Sequence, residues 1–285
     1  MVSTDPRRDF REFEQAGWED PDIVANYDKL ISGVTSQAVD ALLDAVRIFE
    51  RCRLLDVATG AGHIANAAAR RGSKVTGVDF SSAQVCLARA RYPSLSFEQA
   101  DAAALPFDRN YFDAIVNGFG MCHLPDPEAA LREAFRVLKP GGRIAFTVYD
   151  IPERAIALGA VYTAVRTYGT VDIGLPAGPD FFLLSNPERS TTALLRAGFV
   201  SASVSQVPQT WRVSDPDDLL KAIAEGSVRG GAMLRAQTAD QMNAIRTALR
   251  RALACYKRGE QFEVPAPAVL ATAVKPIAAP TSSVG

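Results

Sequence analysis

The sequence predicts an α/β fold, a doubly wound and mostly parallel seven-stranded sheet with a helical lid. Three observations lead to this prediction. Short apolar runs alternate with helical patterns over residues 53–148, which is typical of a parallel sheet covered by helices on both faces. A glycine turn, Gly60-Ala61-Gly62, follows the first run, as in folds that bind nucleotides. The alternation stops after Asp150, so we expect the remaining chain to complete and cover the sheet.

The first half of the chain contains five predicted strands and the helices between them. Apolar residues at helical spacing predict a preceding helix over 37–49. Gly72 is expected to end the helix behind the glycine turn, and Ser81 or Ser82 to begin the next one, since these residues favour such helix ends. The predicted strands are 53–57, 74–78, 95–99, 112–116 and 143–148, and the helices are 64–71, about 82–91, and 127–137.

The pattern divides the chain into four segments. Residues 1–35, polar with spaced aromatic side chains, predict one or two short helices of the lid. Residues 36–150 form the ligand-binding core, and residues 151–184 form an insertion that belongs to the lid. Residues 185–285 complete the sheet: we expect a helix at 187–197 capped by Asn186, strands at 200–213 and 262–274, and a helical insertion at 215–258 with two helices around a loose joint at 226–231.

Composition narrows the classes of function. The formal net charge is −1, so no bulk positive field favours nucleic acid. Four cysteines without a CxxC pair predict neither a disulfide framework nor a metal site, and they favour a reducing compartment. No apolar run approaches the roughly 18 residues that span a bilayer, and the charged start lacks the apolar region of a signal peptide. We therefore expect a cytoplasmic protein with a small-molecule substrate, binding neither nucleic acid nor membrane. A homo-oligomer remains open.

Carboxylates follow three successive predicted strands. Asp56 ends the first strand, where it suits a cationic ammonium group better than a pyrophosphate. Asp79 ends the second, where a carboxylate can accept both ribose hydroxyls, and Asp101 follows the third, where it can accept from an adenine amino group. S-adenosylmethionine carries all three of these groups. Taken singly, Asp79 could equally be a helix-capping acid and Asp101 a solvated loop acid.

The order of the motifs resembles the class I S-adenosylmethionine-dependent methyltransferases. It looks most like the small-molecule branch that includes the ubiquinone/menaquinone-biosynthesis C-methyltransferases. The resemblance is continuous over roughly residues 50–150, and its motifs are LLDVATGAGHIA, GVDFS, QADAAALPFDRNYFDAIVNGFGMCHLPD and VLKPGGRIAF. It implies a Rossmann-like methyltransferase fold with S-adenosylmethionine as the cofactor.

The resemblance also implies which residues bind that cofactor. Those assigned to the methionine moiety are Asp56, Thr59, Gly60 and Gly62. Asp79 would bind the ribose, and those assigned to the adenine are Phe80, Asp101 and Ala102. Asn117 and Gly118 would line the sulfonium side. Tyr27 lies in a segment that folds over the cofactor in relatives, so it would contact cofactor or substrate unless it only packs its helix.

The sequence contains two histidines. His123 follows the fourth strand and is the candidate catalytic residue, as a general base or as a hydrogen-bond partner of the substrate; the alternative is a structural histidine that tethers its loop. His63 is expected to pack near the cofactor's carboxylate rather than to act in catalysis. Cys122 is expected to fill space as a small apolar residue rather than to act as a nucleophile.

Aromatic and basic residues outside the core are candidates for the substrate cavity. Aromatic side chains that could wall an apolar cavity, or equally belong to the core, are Trp18, Phe181, Phe182 and Trp211. Arginines that could meet an acidic substrate, or simply lie at the surface, are Arg154, Arg212 and Arg229.

These features favour an enzyme that transfers a methyl group from S-adenosylmethionine to O, N or C of a small, apolar or aromatic molecule. One alternative keeps the cofactor without the transfer, as in a cyclase-like enzyme or a regulatory protein. Another is an NAD-dependent oxidoreductase, because Gly60, Gly62 and Ala65 also satisfy G-x-G-x-x-A. Asp56 and Asp101 disfavour that alternative.

Overall fold

The computed structural model describes residues 6–277. The parts of the predicted segments 1–35 and 185–285 that fall on residues 1–5 and 278–285 lie outside this range. The main sheet contains β1 (Arg53–Val57), β2 (Lys74–Asp79), β3 (Ser96–Gln99), β4 (Phe112–Gly118), β5 (Leu138–Tyr149), β6 (Val200–Val207) and β10 (Ala268–Val274). Their order is β3-β2-β1-β4-β5-β10-β6. Only β10 runs antiparallel to its neighbours in this sheet, so the predicted seven-stranded, mostly parallel sheet is confirmed.

Helices cover the sheet and extend beyond it. The N-terminal helices are α1 (Pro6–Trp18), α2 (Pro21–Leu30), α3 (Ser32–Thr35) and α4 (Val39–Ala45). Those between the core strands are α5 (His63–Arg70), α6 (Ser82–Arg91) and α7 (Pro127–Val137). The later ones are α8 (Ile156–Tyr168), α9 (Pro187–Arg196), α10 (Asp217–Gly226), α11 (Arg229–Arg235) and α12 (Ala239–Leu253).

The sheet is buried on both faces because its strands are apolar at successive positions. Leu54 and Leu55 are adjacent in β1, yet they belong to two different core clusters, one on each side. Ile115 and Val116, adjacent in β4, likewise belong to different core clusters. Side chains alternate across a strand, so a continuous apolar run supplies both cores at once. This arrangement is what a parallel sheet between helical layers requires.

Helix starts follow the predicted capping chemistry. The Ser81 hydroxyl accepts the N–H of Gln84 at 3.0 Å and so begins α6. The Asn186 side chain accepts the N–H groups of Glu188 and Arg189 at 2.9 and 3.1 Å at the start of α9. These bonds satisfy amide groups that have no partner within the helix. The helix predicted over 37–49 is shorter than expected, because Arg47 takes a φ of 52° and turns the chain away.

Two predicted strands are each split by proline. The strand expected at 200–213 consists of β6 and β7 (Thr210–Val213), which Pro208 and Gln209 separate. The strand expected at 262–274 consists of β9 (Gln261–Pro265) and β10, with Pro267 between them. Proline cannot donate to a ladder, and the chain passes from one sheet to the other at both places. With β8 (Lys257–Arg258), β7 and β9 form a second, three-stranded sheet in the order β7-β9-β8.

The lid segments differ in detail from the sequence interpretation. The N-terminal segment folds into three helices rather than one or two, and 215–258 holds three helices and β8 rather than two helices. The joint expected at 226–231 is not loose: Gly230 and Gly231 lie within α11, and a Cβ on Gly230 would lie 2.8 Å from Ile223. This close packing explains why Gly230 and Gly231 continue a helix instead of interrupting one.

Candidate active site at the carboxyl ends of the strands

The turn after β1 has a backbone that requires glycine. Gly60 and Gly62 have φ values of 54° and 82°, in the left-handed region that glycine enters without a steric penalty. A Cβ on Gly62 would also lie 2.9 Å from the ring of Phe97. The turn therefore brings the backbone close to its neighbours and starts α5 at His63.

Asp56 lies fully buried beneath this turn. Its Oδ2 atom accepts the Thr59 hydroxyl at 2.7 Å and the Ala65 N–H at 3.1 Å, while its Oδ1 atom has no hydrogen-bond partner among the described residues. The pKa of Asp56 is raised to about 7. Burial is the largest cause and the nearby Asp79 adds to it, whereas the two hydrogen bonds act in the opposite direction. Asp56 thus braces the turn and retains one unsatisfied acceptor.

Asp79, at the end of β2, connects that strand to the same turn. Its Oδ2 atom accepts the Gly60 N–H at 2.9 Å and its Oδ1 atom accepts the Ser81 N–H at 3.0 Å. Burial raises the pKa of Asp79 to about 6, although both N–H groups favour the ionised form. The two buried carboxylates place negative charge at the carboxyl ends of β1 and β2.

A cavity of about 340 Å³ opens beside these ends, and we call it the first cavity. It is lined by Val57 and Ala58 after β1, Phe80 after β2, and residues 99–102 after β3. Of the sequence candidates, the structure brings Phe80, Asp101, Ala102 and His123 to its wall. The assigned residues Asp56, Thr59, Gly60, Gly62 and Asp79 are not among its lining residues.

Asp101 is already engaged with helix α1. Its Oδ1 atom accepts the Ala103 N–H at 2.8 Å, and its Oδ2 atom lies 3.3 Å from the Arg11 guanidinium. Arg11 also lines the first cavity. Further along α1, the Ser81 hydroxyl donates to the Trp18 carbonyl at 2.6 Å. Helix α1 therefore closes the first cavity from the side opposite the sheet.

Asn117 and Gly118 do not line this cavity or the one described next. The Asn117 amide donates to the Val57 carbonyl at 2.9 Å, and its oxygen accepts the N–H groups of Gly120 and Met121 at 3.0 and 3.1 Å. Asn117 holds together the ends of β1 and β4 and the loop that carries His123. The structure gives it a bracing role, and its expected contact at the sulfonium side stays a prediction.

A second cavity of about 330 Å³ lies under the lid. Its wall combines α1 and α2, the end of β5, the segment 178–182 and helices α8 and α11. The Phe, Tyr and Trp side chains among its lining are Phe10, Trp18, Tyr27, Tyr149, Tyr162, Phe181, Phe182 and Trp211. Tyr149 and Phe181 stack with ring centres 5.9 Å apart. This second cavity is suited to a flat, apolar ligand.

The two cavities share Glu14 and His123 in their walls. Nδ1 of His123 lies 3.0 Å from Oε2 of Glu14, and the Trp18 indole N–H donates to the same oxygen at 3.1 Å. Burial disfavours the imidazolium, but the neighbouring Cys122 and Glu14 side chains raise the pKa of His123 well above its ordinary value. Cys122 and Glu14 thus favour the charged form of His123, which lies in the walls of both cavities.

Sequence reasoning missed Glu14. Phe10, Glu14 and Trp18 recur every fourth position of α1 and are all buried, so the signal was a carboxylate on the apolar stripe of a helix. Such a residue has to find a partner inside the protein. Its partner, His123, lies far away in sequence, which is why the pairing could not be predicted.

Other candidates lie away from the cavities. His63 lies 2.6 Å from the Asp28 carboxylate, which Arg91 also contacts. Arg154 pairs with Asp150 at 2.6 Å, and Arg212 pairs with Glu263 at 3.1 Å.

Three further candidates, Arg229, Cys122 and Phe182, do line the second cavity. Within residues 6–277, no group of three His, Cys, Asp or Glu side chains is arranged to hold a metal ion. None of the described helices has the length and apolar character needed to cross a membrane.

Comparisons with known proteins support this description. Residues 55–146 match a family model described as a methyltransferase domain. The chain is 37% identical over 125 residues to a demethylmenaquinone methyltransferase of Renibacterium salmoninarum, covering 44% of this chain and 53% of that protein. It is 34% identical over 132 residues to a 2-phytyl-1,4-naphtoquinone methyltransferase of Thermosynechococcus vestitus, covering 44% and 59%. The chain thus spans about half the length of the curated relatives that it matches.

Solved structures share the fold at low sequence identity. The YcgJ protein from Bacillus subtilis aligns with a TM-score of 0.57 and 20% identity, over 85% of this chain and 99% of that one. A phosphoethanolamine N-methyltransferase 2 of Haemonchus contortus, in complex with S-adenosylhomocysteine, aligns with a TM-score of 0.57 and 18% identity, over 94% and 60%. Residues 55–146 thus match a methyltransferase domain, and the chain shares the fold of these solved structures.

Proposed function

We propose that this protein transfers a methyl group from S-adenosylmethionine to a small, apolar or aromatic molecule. The observation that carries the proposal is the pair of adjoining cavities. One lies at the carboxyl ends of β1, β2 and β3, the other is walled by aromatic side chains, and the walls of both include His123 and Glu14. Two ligands bound in them would meet at that border.

The residues around the first cavity fit S-adenosylmethionine. Two buried carboxylates, Asp56 and Asp79, precede the wall residues Val57 and Phe80, so their charge favours a cationic ligand over a pyrophosphate. Asp56 retains an unsatisfied buried oxygen, which an ammonium group would satisfy. Phe80 offers a ring for the adenine and Asp101 an acceptor for its amino group. We assign the ribose hydroxyls to Asp79.

The protein's part in methyl transfer is alignment and exclusion of water. When bound, S-adenosylmethionine supplies the methyl group and a sulfonium leaving group. The aromatic wall of the second cavity would orient the acceptor, and α1 with the segment 178–182 would exclude water. Positioning of two reactants in this way is worth about 7–11 kcal/mol.

For the substrate, we propose a chemical class and no individual compound. The named relatives are methyltransferases of menaquinone and naphthoquinone type, and the aromatic second cavity is compatible with a ring of that kind. We include a cytoplasmic location in the proposal, because Cys52, Cys86, Cys122 and Cys255 are all free thiols, which reducing compartments maintain. The small net charge agrees with a small-molecule substrate rather than nucleic acid.

The test uses S-adenosylmethionine labelled in its methyl group. The protein is incubated with the label and a panel of hydroxylated aromatic compounds, and the formation of labelled product and of S-adenosylhomocysteine is followed. We expect both to form in equal amounts with at least one compound. Tight binding of S-adenosylmethionine without any turnover across the panel and a cell extract would contradict the proposal and favour a non-methylating role.

A further inference from the structure

The strongest unexplained feature of the molecule is the buried carboxylate of Glu14. It is 3% exposed and lies between two donors, the indole N–H of Trp18 and Nδ1 of His123, which converge on its Oε2 atom. A carboxylate taken out of water this completely needs a compensating positive charge. The imidazole of His123 is the titratable group in contact with it.

The contact fixes the ring of His123. Nδ1 is bound to Glu14, so Nε2 is the nitrogen that faces away from this carboxylate; the Cys122 side chain is a further hydrogen-bond partner of the ring. The ring also packs edge-on against Trp18 and Phe181, with centroids 5.1 and 6.0 Å away. His123 lines the second cavity, so a ligand there meets an oriented ring.

We propose that Glu14 is a positioning residue that holds His123 as an imidazolium with its Nε2–H available to the second cavity, and that this cavity takes an aromatic acceptor with an ionised hydroxyl group. The inference rests on the proposed function and names the chemical class of the acceptor. Of the two functional roles expected for His123, general base and hydrogen-bond partner of the substrate, it selects the second, with His123 as the donor.

Other titratable groups around His123 agree with this assignment. Burial raises the pKa of Tyr27 and of Tyr162 to about 12 and that of Tyr149 well above its ordinary value, so these phenols stay neutral. The remaining polar groups on the wall of the cavity are Cys122, Asp180 and Arg229. Asp180 accepts the Phe182 N–H at 2.9 Å, and the Arg229 guanidinium donates to the Pro176 carbonyl at 2.9 Å. Arg229 adds a second positive charge for an anionic ligand.

An ionised acceptor also removes the need for a base. An electron pair of the oxyanion forms the bond between its oxygen and the methyl carbon. The carbon–sulfur bond breaks at the same time, and its electron pair stays on sulfur. Oxyanion and sulfonium charges cancel, so transfer to oxygen releases no proton. A protonated His123 could not accept one in any case.

The first test reads the protonation of His123 directly. Long-range ¹H–¹⁵N spectra of the two imidazoles are recorded between pH 5 and 9, and His63→Gln assigns the signals. We expect the pKa of His123 to lie well above its ordinary value of about 6.5 in the wild-type protein, and to fall toward that value in Glu14→Gln. A wild-type His123 that is neutral at pH 7 would overturn the inference. If Glu14→Gln does not fold, the wild-type titration alone decides.

The second test reads the class of ligand. The probes are 2-hydroxy-1,4-naphthoquinone, which is ionised at neutral pH, and its neutral 2-methoxy analogue, measured by calorimetry with S-adenosylhomocysteine present. Loss of the charged hydrogen bond in His123→Gln should weaken the binding of the hydroxy probe by about tenfold or more. The affinity for the methoxy probe should stay unchanged. Glu14→Gln should weaken the hydroxy probe increasingly above pH 6.5, whereas the exposed Glu12→Gln should not.

The outcomes separate the two proposals. Equal weakening of both probes, or no weakening of either, would overturn the acceptor class even if methyl transfer is observed. No transfer to any acceptor, with the probe pattern as expected, would overturn the proposed function and leave the charge of the second cavity established.

Discussion

The Asp79 carboxylate accepts the backbone N–H of Gly60 at 2.9 Å and so ties the end of β2 to the glycine turn after β1. One carboxylate therefore shapes the turn, and we propose that it also binds the ribose hydroxyls. Its loss should affect cofactor affinity more than the loss of any exposed acid nearby.

Asp79→Ala is expected to weaken the binding of S-adenosylhomocysteine by about 1.5–3 kcal/mol, the range for hydrogen bonds to a charged group. Isothermal calorimetry measures this, and a thermal melt checks that the variant is folded. Glu98→Gln, an exposed carboxyl on the neighbouring strand β3, is the matched control and should bind as the wild type does. Unchanged affinity in Asp79→Ala would remove Asp79 from the cofactor site.

The affinity for S-adenosylhomocysteine should depend on pH through the same carboxyl. Ribose hydroxyls donate to the ionised form, and burial raises the pKa of Asp79 to about 6. Affinity should therefore be steady above about pH 7 and fall as the pH drops through 6. Calorimetry in buffers of different ionisation enthalpy should detect proton release on binding near pH 6. An affinity that does not change from pH 5 to 8 would show that ligand binding does not depend on the ionisation of Asp79.

Asp56→Asn is expected to stabilise the cofactor-free protein at pH 8 and to have little effect at pH 5. Burial raises the pKa of Asp56 to about 7, so the folded state binds a proton that the unfolded state, with a pKa near 4, does not. This bound proton stabilises the folded wild-type protein at low pH, and the stabilisation is lost as the pH rises through 7. At about 1.4 kcal/mol per pKa unit, the free energy of unfolding should fall by on the order of 2–4 kcal/mol.

Urea unfolding at the two pH values measures this difference. The asparagine oxygen can still accept from Thr59 and Ala65, so the variant removes charge without removing the brace. The exposed Asp240→Asn in α12 is the control and should show no such change with pH. An Asp56→Asn protein less stable than the wild type at pH 8 would mean that the ionised carboxylate stabilises the fold.

Gly120→Ala should disturb the loop that carries His123. A Cβ at Gly120 would lie 2.5 Å from Ala58 and 2.7 Å from the Asn117 amide, both of which are held in place. We expect a destabilisation of about 1–3 kcal/mol, as for overpacking elsewhere, together with weaker binding of S-adenosylhomocysteine.

Gly33→Ala is the matched control for that substitution. Gly33 lies in helix α3, and a Cβ there has nothing within 4 Å, so alanine should leave stability unchanged or raise it by about 0.5–1 kcal/mol. Thermal melts of the two variants measure the contrast. Equal melting temperatures would show that the loop adapts freely.

The core of the fold was predictable because its signal is local. Each strand and helix between residues 53 and 149 shows its own periodicity. Ser81, within this range, and Asn186, beyond it, each cap the helix that follows. The second sheet was not predicted, because alternation alone cannot show that β6 and β7 separate at Pro208. The prolines were visible in the sequence, but which sheet each half joins is decided by tertiary packing.

The candidate site was predictable where it follows strand ends. Phe80, Asp101, Ala102 and His123 reach the first cavity because parallel strands end at one edge of the sheet. Asn117 was predicted at the sulfonium side, and its bracing of two strand ends was not foreseen, because that role depends on backbone groups distant in sequence. Glu14 belongs to a helix whose partner is set by how the lid folds back, so no local pattern could pair it with His123.

The central claim is that the carboxylates at the strand ends form a site for a cationic sulfur nucleoside. The most direct measurement is a pair of calorimetric titrations, one with S-adenosylhomocysteine and one with NAD, on the same preparation. The structure predicts one saturable site for S-adenosylhomocysteine and no heat of binding for NAD at equal concentration. Saturable binding of NAD without binding of S-adenosylhomocysteine would contradict the assignment of this cavity.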